Sequence, residues 1–134
     1  MSISLEVSFA SGLLSCEARG DFALDDAKRV FLEVLDAVGQ YRAEKVFLDG
    51  RGLRGTPEVM ERFFYGEFAA NETSRVISER GLPRAPRFAY VLKEPVLDPR
   101  RFGENVAVNR GMIVKTFDNR EEALAWLMEL DGKV

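Results

Sequence analysis

Val46-Phe47-Leu48-Asp49-Gly50-Arg51-Gly52-Leu53-Arg54-Gly55-Thr56-Pro57 is the stretch whose reading decides the fold. Three apolar residues between Lys45 and Asp49 have the form of a short buried strand. Gly50, Gly52 and Gly55 then predict a tight loop, because glycine admits turn conformations closed to other residues. Thr56 is a good helix N-cap, and Pro57 suits a first helical position, where its missing N–H costs nothing. A strand, a loop and a helix start in this order mark the place where α/β sheets commonly hold functional groups.

The loop invites two chemical readings. Gly50, Gly52 and Gly55 have the spacing Gly-x-Gly-x-x-Gly, a dinucleotide fingerprint when taken literally. Against it, the strand comes third in the chain and two arginines occupy the loop. The acid expected about twenty positions on is only Glu72, within a helix. Arg51 and Arg54 beside a helix N-terminus offer the second reading, a phosphate or carboxylate site. The plainer alternative pairs Arg51 with Asp49 on the surface. Asp49, Arg51, Arg54 and Thr56 are the candidate anion-binding residues.

The rest of the composition narrows the chemistry. A chain of 134 residues fits a single domain spanning 1–134. Its 46% hydrophobic and 31% charged residues are usual for a soluble globular protein. A net charge of −3 argues against a nucleic-acid partner. The absence of histidine removes the usual general base and the commonest metal ligand. A single cysteine, Cys16, excludes an internal disulfide and a zinc cluster. No serine sits in a Gly-x-Ser-x-Gly elbow either. The expectation is a non-catalytic protein without metal or cofactor. Leu13-Leu14-Ser15-Cys16 imitates a lipoprotein cleavage box, but no Lys or Arg precedes Arg19 and Glu6 interrupts the apolar run. No segment is long and apolar enough to span a membrane, which predicts a cytoplasmic protein.

Outward from the centre, the N-terminus alternates. Ile3, Leu5, Val7 and Phe9 interleave with polar residues, and Leu14, Cys16 and Ala18 do the same after the Ser11-Gly12 turn. This predicts a hairpin with one buried face, with Cys16 a small core residue. Ala27, Val30, Phe31, Val34, Leu35 and Val38 form a helical stripe, with Asp25 and Asp26 capping its start and Gly39 its end. After Pro57 a long helix carries Val59, Met60, Phe63, Phe64 and Phe68 as a broad aromatic face, expected in the core. Phe63, Phe64 and Phe68 are also the candidate pocket residues. Gly66 within this helix implies close approach of another backbone or a ligand, and Asn71 to Ser74 predict a bend or break. Phe88 to Leu92 is a second fully apolar strand. A helix is expected from Pro99 with Asp98 as its cap, then a last strand, Met112 to Phe117, whose Lys115 suits an edge. Asp118-Asn119-Arg120-Glu121 has capping-box spacing before a final helix with Ala123, Leu124, Leu127, Met128 and Leu130 inward. The order β-β-α-β-α-β-α-β-α predicts a mixed, mostly parallel five-stranded sheet with an N-terminal antiparallel hairpin and about four helices.

Four stretches carry a family resemblance. They are Gly20-Asp21-Phe22, the central Val46 to Gly55, Asn109-Arg110-Gly111-Met112-Ile113-Val114-Lys115-Thr116-Phe117, and Glu121-Glu122-Ala123-Leu124-Ala125-Trp126-Leu127. Together they resemble the sulfate-transporter and anti-sigma-factor-antagonist (STAS) domains in their SpoIIAA-like branch. The last two are most similar to small bacterial STAS/SEC14-like proteins. The resemblance implies a SpoIIAA-like fold and a non-catalytic regulatory or protein-interaction module. The SEC14-like side of it implies a lipid or other small, partly apolar ligand held between helices and sheet. Signalling members of the family are switched by phosphorylation in the loop after the central strand, where Asp-Ser-Ser-Gly-Leu or a close variant is usual. Here that loop holds Gly and Arg, and Thr56 is its only hydroxyl and the candidate phosphorylation site; capping explains Thr56 equally well.

Two surface expectations complete the sequence reading. Residues 75–101 contain seven basic and three acidic side chains, a net of +4, which suits an anionic partner or peripheral membrane contact, against the plainer account of solvated loops. The two fully apolar strands need cover on both faces, while helices can be assigned to only one. This predicts a two-fold homodimer or a further helical layer.

Overall fold

The computed structural model describes residues 2–129. The alternating N-terminal pattern folds as expected into a hairpin of β1 (Ser4–Ala10) and β2 (Leu13–Asp21), paired antiparallel with Val7 opposite Cys16. β3 (Lys45–Arg54), β4 (Arg87–Val91) and β5 (Ile113–Phe117) continue the sheet in parallel, in the order β1-β2-β3-β4-β5. The hairpin therefore lies at one side, and Lys115 is on an edge strand. Val46, Leu48, Ala89 and Val91 are all buried in the central strands.

α1 (Leu24–Tyr41) places its stripe of Phe31, Val34, Leu35 and Val38 on Leu14, Cys16, Val46 and Phe88. α2 (Val59–Arg80) and α3 (Phe102–Asn109) join α1 over the same face. α4 (Arg120–Glu129) takes the opposite face, where Ala123 and Leu127 cover Phe47, Ala89, Val91 and Phe117. Helices thus sandwich the central strands. This removes the packing argument for a dimer, since the second face of β3 and β4 is already covered. Leu124 and Trp126 flank that contact, Met128 is exposed, and Leu130 lies outside the described residues.

Several element ends differ from expectation for identifiable reasons. β3 does not stop at Asp49. It runs on to Arg54 because β2 pairs with it past a bulge, setting Arg19 against Gly52 and Asp21 against Arg54. Gly50 and Gly52 are consequently strand residues, and of the three only Gly55 has a positive φ, +118°. α2 begins at Val59 rather than Pro57, because Glu58 and Glu61 form a capping box that leaves Thr56 without a capping role. α2 then continues unbroken through Asn71 to Ser74; Thr73 is buried there with its hydroxyl donating to the Ala69 carbonyl at 2.7 Å. α1 likewise passes through Gly39 and ends at Arg42, which is left-handed at φ 51°. Gly39 instead leaves room for the Arg80 guanidinium, while Arg42 donates to the carbonyls of Arg80 and Gly81, tying the two helix ends together. Asp98 accepts the N–H groups of Arg100 and Phe102, so α3 starts at Phe102. At α4 the cap is Asn119, accepting the Glu122 N–H at 2.9 Å.

Asp26 is not an N-cap; that position is Ala23. Its carboxylate accepts the backbone N–H of Ile3 and the Arg29 guanidinium, fastening the start of the hairpin to α1. The Ile3 N–H, then Arg29, hold this carboxyl below the ordinary aspartate range. A depressed carboxyl stabilises the fold fully above the unfolded value of about 3.9. That contribution is lost as pH falls through the lower folded value. Asp26→Asn should therefore flatten the acid limb of a plot of melting temperature against pH, leaving the difference from wild type smallest below that limb.

Candidate functional site

The carboxyl ends of β3 and β4 carry the site. Leu48, Gly50 and Tyr90 project from the sheet toward the helices, and Val30 and Val34 of α1 and Ala107 of α3 face them. Tyr65, Gly66 and Ala69 of α2 close over the top, and Leu92, Val96 and Leu97 line the side. Between them lies a cavity of about 150 Å³, walled almost wholly by carbon. Arg62 fixes its side wall, donating to the carbonyls of Pro95 at 2.7 Å and Val96 at 2.8 Å.

Gly66 is where α2 and α3 cross. A Cβ built on it would fall far inside contact of the Gly103 carbonyl oxygen, and only 3.2 Å from the Gly103 carbonyl carbon. Gly103 is equally constrained, since its own Cβ would stand 3.0 Å from the Arg62 carbonyl oxygen. The glycine in mid-helix thus marks the close backbone approach its sequence context implied, and it also lines the cavity.

The aromatic face is arranged differently from expectation. The buried stripe of α2 is Gly66, Ala69, Ala70 and Thr73, four small residues that let the helix sit close. Val59, Met60 and Phe64 are 65%, 54% and 43% exposed. Phe63 stacks on Phe102 at 6.4 Å and meets Phe64 edge-on at 5.5 Å, forming an aromatic surface cluster. Phe68 packs at the edge of the core, with the Lys28 ammonium 5.4 Å from its ring. The cavity wall is made by Tyr65, Gly66 and Ala69, and these three phenylalanines lie around the other sides of α2.

At the β3–α2 junction the two arginines are engaged. Arg51 reaches Asp49 through a two-point contact at 3.0 and 2.7 Å, and Arg54 reaches Asp21 at 2.9 Å. Hydrogen bonding to Arg51 holds the Asp49 carboxyl below its usual range. Thr56 is exposed. The first turn of α2 carries the Glu58 and Glu61 carboxylates, so a phosphate on Thr56 would meet negative charge where a bare helix end would welcome it. Of the basic residues in 75–101, Arg75, Arg80 and Arg84 precede β4, Arg87 begins it, and Lys93, Arg100 and Arg101 follow it. Arg75 is paired with Glu72 and Glu79, and Arg84 stands 3.8 Å from Glu44.

Cys16 is buried in the core beneath α1, and burial pushes its thiol up to about 12. A protonated, covered thiol is a poor nucleophile. Iodoacetamide at pH 8 should leave the native protein unlabelled and label it once in denaturant, as read by intact mass. Labelling of the native state at a comparable rate would contradict the core placement.

Comparison with known proteins bears on the fold. No protein-family model matches the sequence, and no curated protein matches it. Among solved structures, an anti-sigma factor antagonist from Mycobacterium paratuberculosis superposes with a TM-score of 0.57 at 14% identity, over 95% of both chains. The chain has the SpoIIAA-like, or STAS, fold. An uncharacterised protein of the DUF3478 family from Shewanella loihica, described as having a SpoIIAA-like fold, gives a TM-score of 0.48 at 17% identity over 94% of each chain. The protein TM1081 gives 0.46 at 18% identity, over 91% of this chain and 86% of the other. Within this STAS-fold chain, sequence reasoning reached Gly66 but passed over Tyr65 and Tyr90. The signal for them was present, since Tyr90 is the one polar-tipped side chain in the otherwise apolar run Phe88 to Leu92.

Proposed function

We propose that this chain is a non-catalytic STAS-like module that binds a small, partly apolar ligand between its helices and its sheet. The observation that carries the reading is the carbon-walled cavity of about 150 Å³ at the carboxyl ends of β3 and β4. Concave, mostly apolar sites with few polar groups, placed at strand ends, are the usual form of small-molecule pockets. Native mass spectrometry of the protein purified from its host tests the reading. A retained small molecule that disappears on denaturation is the expected result, and mass equal to the bare chain in every preparation would overturn it.

A second reading, regulation of a protein partner, has its own observation. Phe63, Phe64 and Phe102 form a partly exposed aromatic cluster, with the exposed Val59 and Met60 in the preceding turn of α2 and Arg110 alongside, its guanidinium 5.5 Å from the Phe63 ring and paired with Glu67 at 3.1 Å. Patches of this kind with a polar rim favour protein contact. Since α2 bears the patch on one side and the cavity on the other, ligand and partner would share one helix. Phe64→Glu should leave the melting temperature near wild type and abolish co-purification of a partner; an unchanged partner profile would remove this second reading.

A further inference from the structure

Two phenols meet on the cavity wall. Tyr65 of α2 and Tyr90 of β4 place their oxygens 2.7 Å apart, with their rings edge to face at 6.4 Å. Each phenol has one proton to donate. A pair bonded to each other uses one of its two protons, and among the described residues the second meets no acceptor. A polar hydrogen facing a carbon-walled space without an acceptor is unfavourable, and an acceptor brought by a ligand relieves it. The donor persists across the physiological range. Burial pushes Tyr65 up to about 12, and burial together with the neighbouring Tyr65 raises Tyr90 well above an ordinary phenol.

The charged groups along the cavity are occupied. Glu104 accepts both the N–H and the hydroxyl of Thr116, at 2.7 and 2.6 Å. Asp49 holds Arg51, Asp98 holds two backbone N–H groups, and Arg62 donates to two carbonyls. Arg101, which also lines the cavity, donates to the Asp98 carbonyl at 3.0 Å. An anionic head entering here would reach the Arg62 and Arg101 guanidiniums only by displacing their carbonyl partners, and would stand near three carboxylates.

Resting on the cavity reading above, we propose that the ligand is a small, uncharged, largely apolar molecule with one acceptor oxygen, a carbonyl or ether, held by the Tyr65–Tyr90 pair. A site built to hydrogen-bond a group discriminates strongly against an analogue lacking it, whereas a plain apolar pocket separates such analogues weakly.

Three probes of similar size distinguish the possibilities: acetophenone, ethylbenzene and benzoate. Each has the single aromatic ring that a cavity of about 150 Å³ accommodates. Binding to the intact chain is followed by calorimetry and by amide chemical shifts. Acetophenone should bind about tenfold more tightly than ethylbenzene, the ratio one net hydrogen bond supplies, with benzoate weakest. In the Tyr65→Phe/Tyr90→Phe double variant the ratio of acetophenone to ethylbenzene should fall to about one; if that variant does not fold, the wild-type ratio decides alone. Equal binding of acetophenone and ethylbenzene to wild type would make the pair a structural contact and overturn the proposal, leaving the cavity reading intact. Tightest binding by benzoate would overturn it in favour of an anionic ligand. Failure of all three probes to bind would remove the cavity reading, and this proposal with it.

Discussion

Gly66→Val is expected to destabilise the protein by about 3 kcal/mol, the upper end of the usual cost of overpacking. The reason is the partner. Where a new side chain meets the tip of a flexible neighbour, a rotamer change absorbs it. Here the Cβ meets the Gly103 carbonyl and Val106, both part of α3, so a whole helix has to move. Helix propensity acts in the opposite direction, favouring valine over glycine by only a few tenths of a kcal/mol. The expected net result is a fall in melting temperature of roughly 10 °C. Gly66→Ala should move in the same direction by less. Because Gly66 also lines the cavity, the displaced α3 should reduce ligand retention in parallel. An unchanged or raised melting temperature would show that α2 and α3 are not held at this crossing.

Leu127→Ala is expected to cost about 2–5 kcal/mol. Leu127 is fully buried against the second face of the sheet, together with Ala123, and these residues complete the cover over Phe47, Ala89 and Val91. Met128, the next residue, is exposed and provides the control, with Met128→Ala changing stability by less than about 0.5 kcal/mol. Chemical denaturation of both variants measures the difference. If Leu127→Ala were no more damaging than Met128→Ala, α4 would not be the covering layer. With both faces of β3 and β4 covered, light scattering of the wild-type chain at micromolar concentration should give the mass of a monomer; a dimer would have to use another surface, such as the patch at Val59 and Phe64.

Much of the architecture was legible from period alone. The unbroken runs at Val46 and Phe88 marked the centre of the sheet, because burial on two faces writes itself directly into the pattern. The alternation of Ile3 to Phe9 marked the edge, but its expected buried face is only partly covered on this outermost strand, where Val7 is 41% exposed. The ends of elements were less legible, since they depend on partners distant in sequence. β3 continues through two glycines only because β2 is there to pair with it. α2 is the instructive case. Phe63, Phe64 and Phe68 dominate its sequence, yet a helix packing closely on another helix needs small residues at the crossing. Gly66 supplies one at the crossing with α3, and Ala69, Ala70 and Thr73 keep the rest of the buried stripe small at helical spacing, which leaves the large rings outward. Size complementarity between α2 and the elements it packs on, rather than hydrophobicity, decides which face is buried. The cavity residues were hidden for a related reason, for they come from the sheet and from the three helices on one of its faces and share no local motif.

The strand order has a consequence for how the chain reaches this state. Each strand pairs with the next one in sequence, so no ladder waits for a segment from the far end of the chain. Closing short loops costs less entropy than closing long ones, and topologies built from such contacts fold faster. A chain emerging from the ribosome can add β3 to the hairpin, then β4, then β5, each with its helix following. α4 comes last, and until it docks, Phe47, Ala89 and Val91 present an uncovered apolar face. The interval before α4 is complete is therefore the period of greatest exposure to aggregation. A stalled chain ending at residue 119 should bind chaperones far more strongly than the chain of residues 1–134.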